Sequence, residues 1–334
     1  MGGRWGRFLA LCLGLLLFGV LLHRVGLNET LDQIRLVGWN FPPLLFPSLL
    51  TGLLFALGWW WTLPPGVPHV PLFDLFLIRT AGDAVNLITP LAYLGGEPLK
   101  ALLLQNHRVP LTDAFASVVV AKTTMTFAYG VFIFLGLATV LLEARGLDYT
   151  LVGGFGAGLF LAFAALLLYY TQRRGLFSLL HRLIYRLGAR GEAWMAKREA
   201  LENLDAKIAT LYQDGKTFRG CFLFSLLGWI SSILEAYLFL WALGTPVPIF
   251  TAFGIQALVV GVKALAFFIP ASLGAQEGGT LLIFLGFGMS GGTAMAFSLL
   301  RRARELFWTL IGLLLLSRWG WGRRLETEAV KRDS

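Results

Sequence analysis

Two short segments hold the residue types that could do chemistry. The first reads Pro90-Leu-Ala-Tyr-Leu94-Gly95-Gly96-Glu97-Pro98-Leu99-Lys100, and the second reads Pro270-Ala-Ser-Leu273-Gly274-Ala-Gln276-Glu277-Gly278-Gly279. Each places a glutamate seven positions after a proline, with a Leu-Gly step between and an apolar helical run behind. Pro90, Gly95, Gly96, Pro270 and Gly274 are helix breaks: proline removes a backbone donor and glycine allows a tight turn. A new helix is expected from about Glu97 through Leu104, and another from about Gln276 or Glu277 to about Leu285. Each start presents unpaired N–H groups and the positive end of a helix dipole. Two such ends facing one cavity would suit a phosphate head group, with Lys100, Lys263 or Arg301 adding full charge.

A plainer reading stands beside this one. A carboxylate at a helix start stabilises that helix, and Glu97 and Glu277 need do nothing more. Arg79 and Asp83 sit four apart, as do Arg301 and Glu305, so each pair could neutralise itself along a helix face. The functional reading gains weight because ionisable residues are costly within a membrane and this chain gathers them near two breaks. Asp83 and Asn86 stand before the first; Lys263 stands before the second, and Gln276, Arg301 and Arg304 follow it. Glu235, on an otherwise apolar helix, and Lys122 are weaker candidates.

The elements that must position these residues are membrane helices. Apolar residues form 57% of the chain and charged residues 14%, too few charges to cover a soluble globule of 334 residues. Apolar runs at 8–22, 44–63, 114–142, 151–170, 221–243 and 249–270 reach or approach the roughly 20 residues that cross a bilayer as helix. The runs do not alternate, which excludes a β-barrel. The expected fold is all-α: a polytopic integral membrane protein of about 6–8 transmembrane helices. Two segments, 72–108 and 262–304, are apolar but interrupted by Pro, Gly and charge, and are expected to be broken or re-entrant. The matching Pro-to-Glu spacing, once in each half, points to an internal repeat. Transporters place substrate sites at such repeat interfaces.

Net charge is +9, and the basic residues cluster where topology needs them. Ten Lys/Arg lie in 173–219, Arg4 and Arg7 precede the first run, and five more end the chain. By the positive-inside rule both termini and this loop are cytoplasmic, at a cell inner membrane. The chain then divides into a membrane half at 1–172, a basic amphipathic loop at 173–219, a second membrane half at 220–318 and a tail at 319–334. The loop's charge suits an anionic lipid surface rather than nucleic acid. With both termini inside, the full crossings must be even in number. The six long runs satisfy that, leaving zero or two further crossings for 278–318.

Enzyme signatures are largely absent. Cys12 and Cys221 lie in apolar runs, and His23, His69, His107 and His181 are far apart without metal-ligand spacing. No cofactor or metal is expected, and no nucleotide loop or nucleophile elbow occurs. The Leu94–Lys100 and Ile269–Gly279 segments together resemble the two signatures of the lysylphosphatidylglycerol synthase transmembrane-region family, also called flippase-like. The Gly-Ala-Gln-Glu-Gly-Gly form, followed by Arg301-Arg302-Ala303-Arg304-Glu305, resembles the hopanoid-associated branch. The resemblance spans nearly the whole chain and lacks the soluble aminoacyl-transferase domain of the full synthases. It implies a lipid transporter or flippase for a phospholipid, polyprenyl-type lipid or hopanoid. Glu97 and Glu277 would shape the site, Lys100, Lys263, Arg301 and Arg304 would contact the head group, and Asp83, Asn86 and Gln276 would line it. A non-transporting scaffold acting through 173–219 and an enzyme acting on lipid head groups are the alternatives.

Overall fold

The computed structural model describes residues 35, 37–88, 95–142, 149–179, 181, 198–266, 269 and 272–332. The expected first span at 8–22, both prolines Pro90 and Pro270, and most of the first amphipathic stretch of the basic loop lie outside the described residues. Among those described there is no strand, and the chain is a polytopic helical membrane protein.

The described residues form ten α-helices in order: α1 Phe46–Trp60, α2 Leu72–Ile88, α3 Gly96–Leu104, α4 Leu111–Leu142, α5 Tyr149–Arg173, α6 Arg198–Gln213, α7 Gly215–Ala242, α8 Ile249–Leu265, α9 Ala275–Gly286 and α10 Gly291–Arg332. Helices at Pro43–Trp60, Leu111–Leu141 and Gly215–Ala242 are each long and apolar enough to cross a bilayer. Their polarity is inverted relative to a soluble bundle. Leu223, Leu227, Ile230 and Leu234 form an exposed apolar stripe on α7, as do Leu306, Leu310, Leu313 and Leu314 on α10, while Lys100, Glu235, Glu277 and Arg301 are buried. Apolar side chains facing outward suit lipid, and charges facing inward avoid it.

The two interrupted segments are hairpins. In the first, α3 turns back along α2: Gly96 packs on Gly82, Lys100 reaches Asp83 and His107 approaches Asp74. In the second, α9 turns back along α8, with Gly279 on Val262 and Phe287 near Gly254. The return arms of 9 and 12 residues span about 14 and 18 Å at the helical rise of about 1.5 Å per residue, too short to cross about 30 Å of hydrocarbon. The run at 249–270 forms the outgoing arm of a hairpin, its helix ending at Leu265. The second turn is made at Gly274, φ +76°, preceded by Ser272 at φ +51°. At the first, Gly95 is ordinary right-handed helix with φ −63°. The expected role of Gly95-Gly96 as a tight turn is therefore corrected: Gly96 serves close packing, since a Cβ there would lie 1.9 Å from the Gly82 carbonyl oxygen.

An exchange relation organises the bundle. Adding 180 to a residue number maps the α1–α4 unit onto α7–α10: Leu111, where α4 begins, falls on Gly291, where α10 begins, and Gly96 falls next to Ala275. Packing follows the map. Helix α2 packs on α10 as α8 packs on α4, and the α2–α3 and α3–α4 contacts recur as α8–α9 and α9–α10. Helices α1 and α7 map onto each other and pack together. Thr51 bonds Ser231, Phe55 meets Trp229 and Trp61 stacks on Phe224, so the two run antiparallel. Thr51 and Ser231 are themselves 180 apart, and their 2.8 Å hydroxyl contact marks the pseudo-twofold axis. Because α1 and α7 are antiparallel, the two hairpins enter the bundle from opposite ends. This is an inverted repeat.

Between the units, α6 of the basic loop packs on α4 and α5 through Leu204, Ile208, Leu211 and Tyr212. The Tyr212 hydroxyl donates to Gln172, which also bonds Thr123, tying three helices together. Lys207 pairs with Asp113 at 2.6 Å. Asp205 accepts from the backbone of Phe177 and Ser178, capping the helical turn at 176–179. Asp214 caps α7, and the Thr217 hydroxyl, aided by the Lys216 and Thr217 amides, holds its carboxyl below the usual range.

The Gly82–Gly96 contact yields a test. Gly96→Ala should destabilise the detergent-solubilised protein by at least about 1–3 kcal/mol, the usual cost of overpacking. Gly286→Ala, where an added Cβ meets nothing within 4 Å, should be neutral. Equal unfolding midpoints for the two variants would show that the hairpin is not in backbone contact.

Candidate functional site

Every charged residue singled out at the breaks is paired or bonded within one of two networks, one in each repeat. The first lies at the α2–α3 hairpin. The Lys100 stem crosses Gly82, where a Cβ would come within 2.5 Å of it. Its ammonium then donates to Asp83 at 2.8 Å and to Glu97 at 3.1 Å. Lys122 from α4 reaches Glu97 Oε1 at 3.1 Å, and Arg79 reaches Asp83 at 3.2 Å while lying over the Phe55 ring. Asn86 joins both arms: its Oδ1 accepts the Gly96 N–H at 2.7 Å and its Nδ2 donates to Glu97.

The second network gathers α7, α8, α9 and α10. Glu277 folds back so that Oε2 accepts the Gly274 N–H at 2.7 Å, while Oε1 accepts from Arg302 Nε at 2.7 Å. Glu305 accepts from Lys263 at 2.6 Å and Arg302 at 3.0 Å. Arg304 binds Glu235 at 2.5 Å and lies 3.6 Å from Glu305. Arg301 donates from Nη1 to Gln256 Oε1 at 2.7 Å. Gln276 is buried on the first turn of α9.

Several sequence expectations change in detail. The helix starts are not left open: Asn86 takes one amide at the first, and Glu277 takes one at the second. Arg79 and Asp83 pair as a four-residue spacing suggests, but Arg301 turns to Gln256 and leaves Glu305 to Lys263, Arg302 and Arg304. Glu235, weighed as a weak candidate, is the partner of Arg304; Lys122 is a partner of Glu97. Gln256 and Arg302 were missed as site residues. A signal for Arg302 was available in the numbering, because Lys122 and Arg302 are 180 apart, as are Glu97 and Glu277. The ion pairs Glu97–Lys122 and Glu277–Arg302 are thus equivalent under the repeat. The networks are not copies: Lys263 occupies the position equivalent to Asp83. They also differ in access at their most exposed members, Asp83 and Lys122 at 42% and 36% in the first against Lys263 and Arg304 at 26% and 17% in the second.

This arrangement can hold a polar group inside a bundle whose outer face is apolar. No cluster of metal-ligating side chains occurs among the described residues. A family model described as the lysylphosphatidylglycerol synthase TM region matches residues 7–312, which include both networks. The chain belongs to that family. A similar protein is a UPF0104 membrane protein of Methanothermobacter thermautotrophicus (strain Delta H), 26% identical over 272 residues, which cover 77% of this chain and 78% of the relative. No solved structure matches. The breaks and buried ion pairs of this lysylphosphatidylglycerol synthase TM-region protein lie wholly within the matched span.

The Glu235–Arg304 pair can be tested for its structural share. Removing one partner of a buried pair costs about 3–5 kcal/mol, whereas removing both is far milder. Glu235→Gln should lower stability by about 3 kcal/mol, and adding Arg304→Gln should recover at least half of the loss. A double variant with the summed cost of the singles would show that the two groups do not act as a pair.

Proposed function

We propose that this protein moves an amphiphilic lipid across the inner membrane, its polar head passing the two hairpin networks while its chains stay in the surrounding lipid. One observation carries the reading: equivalent glutamate–cation pairs, Glu97–Lys122 and Glu277–Arg302, stand at the breaks of an inverted repeat. Membrane transporters built from inverted repeats hold their substrates at such breaks. Family membership, under a description that names a lipid synthase's membrane region, agrees with lipid handling. Glu97 and Glu277 shape the path. Lys100, Lys263, Arg301 and Arg304 supply positive charge along it, with Asp83, Asn86 and Gln276 as polar lining. No catalytic role is assigned to any of them.

Reconstitution tests this directly. Purified protein in liposomes should accelerate the appearance of inner-leaflet fluorescent lipid at the outer surface. Glu97→Gln and Glu277→Gln should reduce that rate to the protein-free level. Glu277→Gln leaves Arg302 with Glu305, and Glu97→Gln leaves Lys100 with Asp83 and Lys122 36% exposed to solvent. Normal transport by both variants would remove these residues from the path.

A scaffold for lipid-biosynthetic enzymes would depend on the basic loop instead. Exchanging residues 182–197 for a neutral linker keeps the docked α6 helix. Transport in vitro should survive this change. Its loss, with the folded state confirmed, would count against a path through the networks.

A further inference from the structure

The buried networks carry a charge imbalance that points to the ligand. In the second network, four cations (Lys263, Arg301, Arg302 and Arg304) face three carboxylates (Glu235, Glu277 and Glu305). One positive charge is left over among the described residues. Geometry assigns it to Arg301. This side chain is 3% exposed, and the ion pairs of Glu235, Glu277 and Glu305 go to Arg304, Arg302 and Lys263 instead. Its Nη1 is satisfied by the neutral Gln256 amide, which is itself held by Ser232. Its Nε has no hydrogen-bond partner among the described residues. A buried guanidinium left in this condition is unfavourable unless an anion arrives.

We infer that Arg301 is the anchor of a binding site for a singly charged phosphoester, presented by a lipid head group. The unused edge of the guanidinium, from Nε outward, is the edge that grips two oxygens of one oxyanion, which suits a phosphoester better than a spherical ion. A single negative charge makes the second network neutral. The first network has the same surplus, with Arg79, Lys100 and Lys122 against Asp83 and Glu97, but its half-open side chains let water or counter-ions offset the charge. The second network, whose Arg301 is 3% exposed, makes the stronger demand for an anion.

This inference deepens the lipid-transport reading by naming the head-group charge, and the two can fail separately. The full chain is placed in nanodiscs of phosphatidylcholine, with and without a fraction of phosphatidylglycerol, and its unfolding midpoint is measured. Phosphatidylglycerol should raise the midpoint for the native protein, and Arg301→Gln should lose that rise, since the variant network is already neutral. Arg301→Lys, which keeps the charge without the planar fork, should fold and need about tenfold more phosphatidylglycerol for the same shift. Inorganic phosphate added to phosphatidylcholine nanodiscs separates the sources: no shift places the anion on a lipid. A phosphate shift that Arg301→Gln abolishes keeps the anion site but overturns its assignment to a lipid. Equal midpoints in both lipids, or an undiminished rise in Arg301→Gln, overturn the site. In liposomes, transport indifferent to head-group charge would overturn this inference and spare the transport reading. Arg301-dependent binding without transport would do the reverse.

Discussion

The cost of holding charge within hydrocarbon governs this structure. A lone ion there is so unfavourable that each must find a partner, a hydrogen bond or water. The bundle meets that demand by turning the chain back on itself twice. A helix that runs straight through the bilayer can aim a buried cation at a neighbour only by chance of register. A hairpin brings two helical arms and a turn to one place, and a long helix packed across them adds a third source of side chains. Lys122 on α4 and Arg302 on α10 are those third sources. Backbone contact between Gly82 and Gly96 draws the arms close enough for Lys100 to lie flat and meet two carboxylates.

The outer surface answers the same constraint from the other side. Rows of exposed leucines on α7 and α10 face outward, while Glu235 of α7 and Arg301 of α10 are buried. Helix α6 does not follow this pattern: it packs its apolar face on α4 and α5, adds polar ties through Lys207 and Tyr212, and leaves Glu202 exposed. The basic loop therefore contributes a fitted element of the bundle as well as a surface charge.

Much of this was legible in the sequence. Apolar runs and the scarcity of charge identified a helical membrane protein, and proline, glycine and glutamate located both interruptions and the starts of the helices that follow them. The paired spacing of Pro90 to Glu97 and Pro270 to Glu277 was enough to suspect a repeat. What remained hidden was pairing between distant positions. Nothing local to Glu235 announces Arg304, because the contact forms only when α7 and α10 meet. The four-residue spacing of Arg301 and Glu305 suggested a pair on one helix face, but the stronger competition from Lys263 and Arg302 claims Glu305. The run at 249–270 had the length of a crossing, and only the return of α9 along α8 shows that the chain reverses. Composition measures how apolar a stretch is but does not report its direction.

One difference between the halves has a further consequence. If the two repeats were identical, exchanging their conformations would give a second state of equal energy, and the molecule would have no preference between them. Asp83 and Lys263 occupy equivalent positions with opposite charge, and Glu305 stands where the first repeat has Met125. These replacements lift the degeneracy. A protein built from two related halves thereby has two breaks of different electrostatic character, one centred on Asp83 and the other on Lys263.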